Sequence, residues 1–109
     1  MAGLREHYRR KVLYFKIDSA DATIVCVAAP ASTEQIVVLS LVLTGVGADT
    51  VDFKSATTII FPHVFKATDP GLVLPDGDNG YFETAKGEAL NLTNPGTVAL
   101  TGCGSYYVL

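Results

Sequence analysis

Turn-forming residues cut this chain into apolar runs too short to be helices. Ser19-Ala20-Asp21, Pro30-Ala31-Ser32-Thr33, Asp69-Pro70-Gly71, Pro75-Asp76-Gly77, Asp78-Asn79-Gly80, Lys86-Gly87 and Asn94-Pro95-Gly96 all read as turns or loops. Between them lie β-patterned stretches at residues 12–18, 23–28, 35–44, 50–55 and 57–61, the last ended by Pro62. A final pair, 97–101 and 105–109, flanks Gly102 and Gly104. In residues 12–18, Leu13, Phe15 and Ile17 share one face; in 50–55, Val51 and Phe53 oppose Asp52 and Lys54. No stretch shows a 3.6-residue apolar stripe. Roughly eight to ten short strands, with turns roughly every eight to twelve residues, predict an all-β fold. The expected form is a two-sheet antiparallel β-sandwich of jelly-roll type with a basic N-terminal arm.

Two stretches constrain that sandwich further. Ile36-Val37-Val38-Leu39 and Leu41-Val42-Leu43 are apolar on both faces, so this strand is expected to be central or covered by a neighbouring subunit. Val42 is expected to be buried, so that Val42→Asp would be costly. The run from Gly80 to Leu92 reads as strand, tight turn and strand. Tyr81 and Phe82 are strand formers, Gly87 can take positive φ, and Leu90 and Leu92 alternate with Asn91. Gly80, Glu83, Gly87 and Glu88 are its structural turn residues, and Glu83 or Glu88 is expected to pair with Lys86 or to close the turn with Thr84.

A chain of 109 residues is read as one domain, with an arm at 1–16 that can run into the first strand and a sandwich at 17–109. Apolar residues make up 49% and charged residues 17%. A surface this poor in charge suits either burial in an assembly or a sheet protein with many strands. The net charge of −3 is unevenly placed. Arg5, Arg9, Arg10, Lys11 and Lys16 against Glu6 give the arm +4, and the remaining residues carry −7. A basic arm on an acidic body is expected to meet an acidic surface on a copy of the chain or on another protein; a solvated, frayed terminus is the plainer reading. Nucleic acid is disfavoured, because the body repels phosphate and no aromatic residues interleave with the basic ones to stack bases. Arg5, Tyr8, Arg9, Arg10, Lys11 and Tyr14 are the candidate contact residues, the cations steering and the aromatics supplying buried area. Ordering such an arm costs roughly 1 kcal/mol per residue, so it is expected to be fixed only on its partner. No apolar run approaches the ~20 residues of a membrane span, and no secretory signal is evident.

Chemistry is hard to find. His7 and His63 lack a nucleophile and an orienting carboxylate, and both read as arm or loop residues. Cys26 and Cys103 have no metal-ligand spacing and read as buried free thiols, although sequence alone leaves a disulfide open. Asp76-Gly77-Asp78-Asn79-Gly80 resembles a calcium loop only superficially, since the twelfth position is Gly87 and no helices flank it. Glu83 and Glu88 are the one acidic pair that a hairpin would bring together, but there is no Trp to line a sugar cleft. Gly45-Val46-Gly47 lacks the following helix of a phosphate cradle. The expectation is a non-enzyme with no catalytic residue, cofactor or metal.

From about Ile24 to Tyr107 the chain resembles small proteins encoded among tailed-bacteriophage structural genes. The resemblance runs through Val27-Ala28-Ala29, Val38-Leu39-Ser40, Phe53-Lys54-Ser55, residues 80–92, and Gly102 and Tyr106, with 80–92 its specific part. Such proteins resemble head decoration, or cement, proteins: compact β-sandwiches that sit on the capsid, commonly as trimers. The resemblance implies a homotrimer on the capsid surface of a virion, made in the bacterial host cytoplasm, with the major capsid protein as partner and neither nucleic acid nor membrane bound. The alternative it implies is a tail- or fibre-associated module that binds a host receptor or glycan.

Overall fold

A computed structural model describes residues 11–66, 71–77 and 79–109. Nine strands occur among them: β1 (Leu13–Ser19), β2 (Thr23–Val27), β3 (Ile36–Gly45), β4 (Asp49–Ser55), β5 (Thr58–Phe65), β6 (Gly71–Leu74), β7 (Phe82–Glu83), β8 (Leu90–Thr93) and β9 (Leu100–Val108). They form two antiparallel sheets, and no helix occurs among the described residues. The first sheet has the order β1-β9-β3-β6, with β7 also paired to β3; the second has the order β2-β8-β4-β5. Arg5, Tyr8, Arg9 and Arg10, and the turn residues Asp69, Pro70 and Asp78, lie outside the described residues.

Side-chain alternation builds the β-sandwich. Phe15 and Ile17 of β1, Val51 and Phe53 of β4, and Leu90 and Leu92 of β8 enter one core with Leu41, Leu43, Phe65 and Leu100. Each such side chain, fully buried, stabilises the fold by about 1.5–3 kcal/mol. Phe82 of the first sheet reaches across to Phe61, stacked at 4.9 Å, and to Phe53 at 5.3 Å. This aromatic group links the two layers with geometry as well as buried area.

β3 is central, between β9 on one side and β6 and β7 on the other. A bulge between Val38 and Ser40 inserts Leu39, and it shifts the alternation so that Val38 and Leu41 both face the core. Val37 and Leu39 are buried outside that core cluster. The segment before β7 continues this edge of β3, Gly77 N donating to Leu39 O at 3.0 Å and Tyr81 N to Val38 O at 2.8 Å, and brings Gly80 against Val37. Val42 is 44% exposed, not buried. It stands on the outer face with Cys103 and Val73 as its lateral neighbours.

Two further expectations change for physical reasons. Pro62 does not end a strand; β5 runs through it, opposite Asp52. Among the described residues β5 pairs only with β4, and an edge strand tolerates the missing N–H. The last two predicted strands are one, because Gly102 and Gly104 sit inside β9 opposite Ile17 and Phe15. A Cβ on Gly104 would fall 2.3 Å from Phe15 Cζ, so the absent side chain is what admits the ring. Residues 13–16, where the expected arm runs into the expected first strand, do belong to β1.

Candidate functional site

Residues 80–92 do not form a hairpin. β7 pairs with β3 in one sheet, whereas β8 pairs with β2 and β4 in the other, so the stretch crosses between layers. Gly80 takes φ 79°, and a Cβ there would meet Val37 Cγ1 at 2.6 Å. The Tyr81 hydroxyl donates to Pro75 O. Thr84 is buried, and its Oγ1 accepts from Ile36 N at 3.0 Å while its own N donates to Ile36 O at 2.9 Å. Gly87, at φ 74°, packs against Ser32 and donates its N–H to Glu34 O at 2.8 Å.

Buried Ser55 completes the crossing. Its hydroxyl donates to Glu88 Oε1 at 2.6 Å and accepts from Ala85 N at 2.8 Å. Glu88 is thus held by Ser55 rather than by Lys86, and it does not converge with Glu83, which is exposed on β7. Two carboxylates divided in this way offer no general acid–base pair. The sequence reading missed Ser55. Its signal was period two: after Val51 and Phe53 the inward phase of β4 falls on a serine.

A shallow pocket of ≈ 280 Å³ opens beside this segment, lined by Val37, Asn79, Gly80, Tyr81, Phe82 and Glu83. Among the described residues that line it, Glu83 is the one carboxylate and none is a histidine, cysteine or serine. His63 is not a loop residue. It lies within β5, with its ring edge-on to Phe65 at 4.8 Å. No group of three His, Cys, Asp or Glu side chains able to hold a metal occurs among the described residues. Nor is any described helix long and apolar enough to cross a membrane.

The remaining predicted contact residues are at the surface. Lys11 is exposed just before β1, and Tyr14 is 79% exposed on the outer face of the first sheet opposite Ser105. The same face carries Val42 and Val73. Its hydroxyls find partners within the sheet, Ser40 with the Ser105 hydroxyl at 2.5 Å and Thr44 Oγ1 donating to the Thr101 carbonyl oxygen at 3.1 Å. Among the described residues of this face charge appears on β1, at Lys16 and Asp18, and on β7, at Glu83.

The two cysteines are both free, but they differ in environment. Cys26 of β2 is half-buried against the core, and this loss of solvent pushes its thiol up from 9.0 to about 12. Cys103 is exposed, because the inward positions of β9 are taken by Gly102 and Gly104. It was expected to be buried. One thiol is therefore expected to react with an aromatic disulfide reagent in the native protein at pH 8, and two in denaturant; two rapid native reactions would contradict the burial of Cys26. The neutral Cys26 thiol is the form the fold favours. Its contribution to stability is complete below about pH 9 and is lost as pH rises towards about 12.

No family model matches the chain, and the search of curated proteins finds no match.

Proposed function

We propose that this chain is a virion structural protein of a tailed bacteriophage, a decoration protein of jelly-roll type that binds the assembled head and stabilises it. The observation that carries the reading is the use made of residues 80–92. The stretch on which the resemblance rests has its polar groups engaged in joining two sheets, through Thr84 to β3 and through Ala85 and Glu88 to Ser55. That is the use expected of a framework part and not of a catalyst.

The strand orders support the jelly-roll reading. With β7 set aside, eight strands lie as β1-β9-β3-β6 and β2-β8-β4-β5, and the chain changes sheet at every connection except β4 to β5. Two such four-stranded antiparallel sheets wound as Greek keys are the jelly roll, an architecture of viral capsid domains among others. Fold alone does not assign function. The resemblance adds the phage context, the capsid surface as location and a trimer as assembly.

The reading gives each surface a task. The basic arm, with Arg5, Tyr8, Arg9, Arg10 and Lys11, is the attachment element for the major capsid protein or an adjacent subunit. The charge-poor outer face of the first sheet, with Tyr14, Val42 and Val73, supplies further contact area. Binding across capsomer boundaries stabilises the assembled head by mass action. A trimer multiplies weak contacts through effective concentration. No catalytic step or nucleic acid enters this account.

The test is co-sedimentation with empty capsids that lack the protein, together with its copy number in purified virions. Saturable binding and on the order of hundreds of copies are expected. Deleting residues 1–11 should leave the sandwich folded and weaken binding, with the residual binding less dependent on salt. A few dozen copies with no capsid binding would support the tail or fibre reading instead, and truncated protein that binds as tightly at every salt concentration would remove the arm from the mechanism.

A further inference from the structure

Among the described residues the first sheet ends at β1 on one side and at β6 and β7 on the other, and the second ends at β2 and β5. An open edge offers unpaired N–H and C=O groups to any extended chain, and most of these edges are blunted. β6 and β7 are four and two residues long. β2 has five residues and a bulge after Val25. β5 is longer, but it carries Pro62 and a bulge where it passes Phe53 and Lys54. β1 is the exception. Its seven residues contain neither proline nor glycine, and they run against β9 in one register without a bulge, from Leu13 opposite Tyr106 to Ser19 opposite Leu100.

The side chains of β1 decide what fits its open edge. Phe15 and Ile17 are committed to the core, while Tyr14, Lys16 and Asp18 stand exposed on the outer face. Lys16 lies beside Cys103 and Asp18 beside Thr101, and neither charge has an ion-pair partner among the described residues. A lone lysine on an edge deters a second strand. A lysine followed two residues later by an aspartate instead complements itself. Two copies of β1 laid antiparallel about Ile17 set Lys16 of each opposite Asp18 of the other. Side chains directly opposed in this way have Cβ atoms about 4.5–5.5 Å apart, and opposite charges there contribute about 0.2–1 kcal/mol per pair. Charge also selects the register. Centring the pair on Lys16 or on Asp18 puts like charges face to face, and centring it on Phe15 sets Lys16 against Tyr14 and forfeits both ion pairs.

We propose that β1 pairs with β1 of a second copy about a two-fold axis at Ile17, joining the first sheets of two molecules edge to edge. The pairing uses Phe15 to Ser19, all within the strand. An axis perpendicular to the sheet keeps Tyr14, Val42 and Val73 of both copies on one continuous outer face. The contact is isologous and closes at two copies. One strand pair buries less than the roughly 1,200 Å² of a standard interface, so the dimer is weak and forms where the chain is concentrated. The inference stands apart from the virion reading and holds or fails without it; a trimer built on other surfaces leaves this edge available.

The experiment is sedimentation equilibrium of the full chain from about 1 µM to about 1 mM. The particle mass is expected to double as concentration rises. Lys16→Asp and Asp18→Lys each turn both ion pairs into like-charge pairs, so each variant alone should double about tenfold less readily or worse. An equimolar mixture of the two should recover the doubling, because the two carboxylates of one variant then face the two ammonium groups of the other. The substitutions move the net charge of −3 by two units in opposite directions and leave both variants negative, so bulk charge does not draw them together. Both positions are exposed, and circular dichroism should match the wild type. A wild-type mass that never doubles overturns the proposal and leaves the edge to a strand of another chain. Variants that associate as well as the wild type, or a mixture no better than its components, overturn it too. Should a variant fail to fold, hydrogen exchange of the wild type supplies the second arm: the β1 amides should gain protection on concentration, and unchanged β1 amides overturn the site.

Discussion

Leu41→Asp is expected to leave the chain unfolded at room temperature, whereas Val42→Asp, one residue on, should change stability by no more than about 1 kcal/mol. Leu41 is 0% exposed and packs in the core between Gly104 and Leu74. An unpaired carboxylate there costs several kcal/mol, comparable to the roughly 5–15 kcal/mol that hold a domain together. Val42 points outward, and an aspartate in its place keeps its water. The remaining effect is the modest loss of strand propensity. Urea unfolding followed by circular dichroism separates the two. Equal losses would mean that β3 does not have the phase its bulge at Leu39 assigns.

The second large effect concerns the glycines of β9. In Gly104→Ala the new Cβ lies 2.3 Å from Phe15 Cζ and 2.8 Å from Ser40 O. Overpacking of this kind costs about 1–3 kcal/mol or more. Part of the conflict is with the end of a ring, so Phe15→Leu in the same chain should recover part of the loss. The double-mutant cycle should then show coupling of at least about 0.5 kcal/mol. Gly102→Ala is expected to be worse. Its Cβ would sit 2.1 Å from Val42 O, an atom of the neighbouring backbone that cannot rotate away. No change at Phe15 should rescue it. Urea midpoints that rank the two glycines in the reverse order, or a cycle without coupling, would contradict the packing described for this strand.

These outcomes depend on features of unequal legibility. The inward sets Phe15 and Ile17, Val51 and Phe53, and Leu90 and Leu92 were readable, because a strand with one wet face writes its core as every second residue. The central place of β3 was readable for the complementary reason, an apolar run too long for a half-exposed strand. Its phase was not. A bulge adds one residue and sets which side chains beyond it face the core; Val42 was misplaced because both faces of this apolar run were expected to be covered, whereas its own face is the outer one. Pro62 and the glycines of β9 misled similarly. Local rules treat both residue types as strand breakers, yet an edge position tolerates the proline, and a ring on the adjacent strand requires Gly104 to lack a side chain.

The candidate sites divide along the same line. Gly80 and Gly87 were identified as turn residues from sequence, and their positive φ agrees. Sequence adjacency suggested Lys86 or Thr84 as partners for Glu88. The partner is Ser55, more than thirty residues away and reached only because β4 and β8 pair. By itself the sequence determined the all-β class, most of the core and the uneven charge, since those follow from local periodicity and composition. Tertiary structure alone decided which sheet each strand joined, which face of β3 looked inward, and which polar groups met. Those outcomes depend on contacts between residues far apart in the chain, and no local pattern records which distant segment will lie alongside.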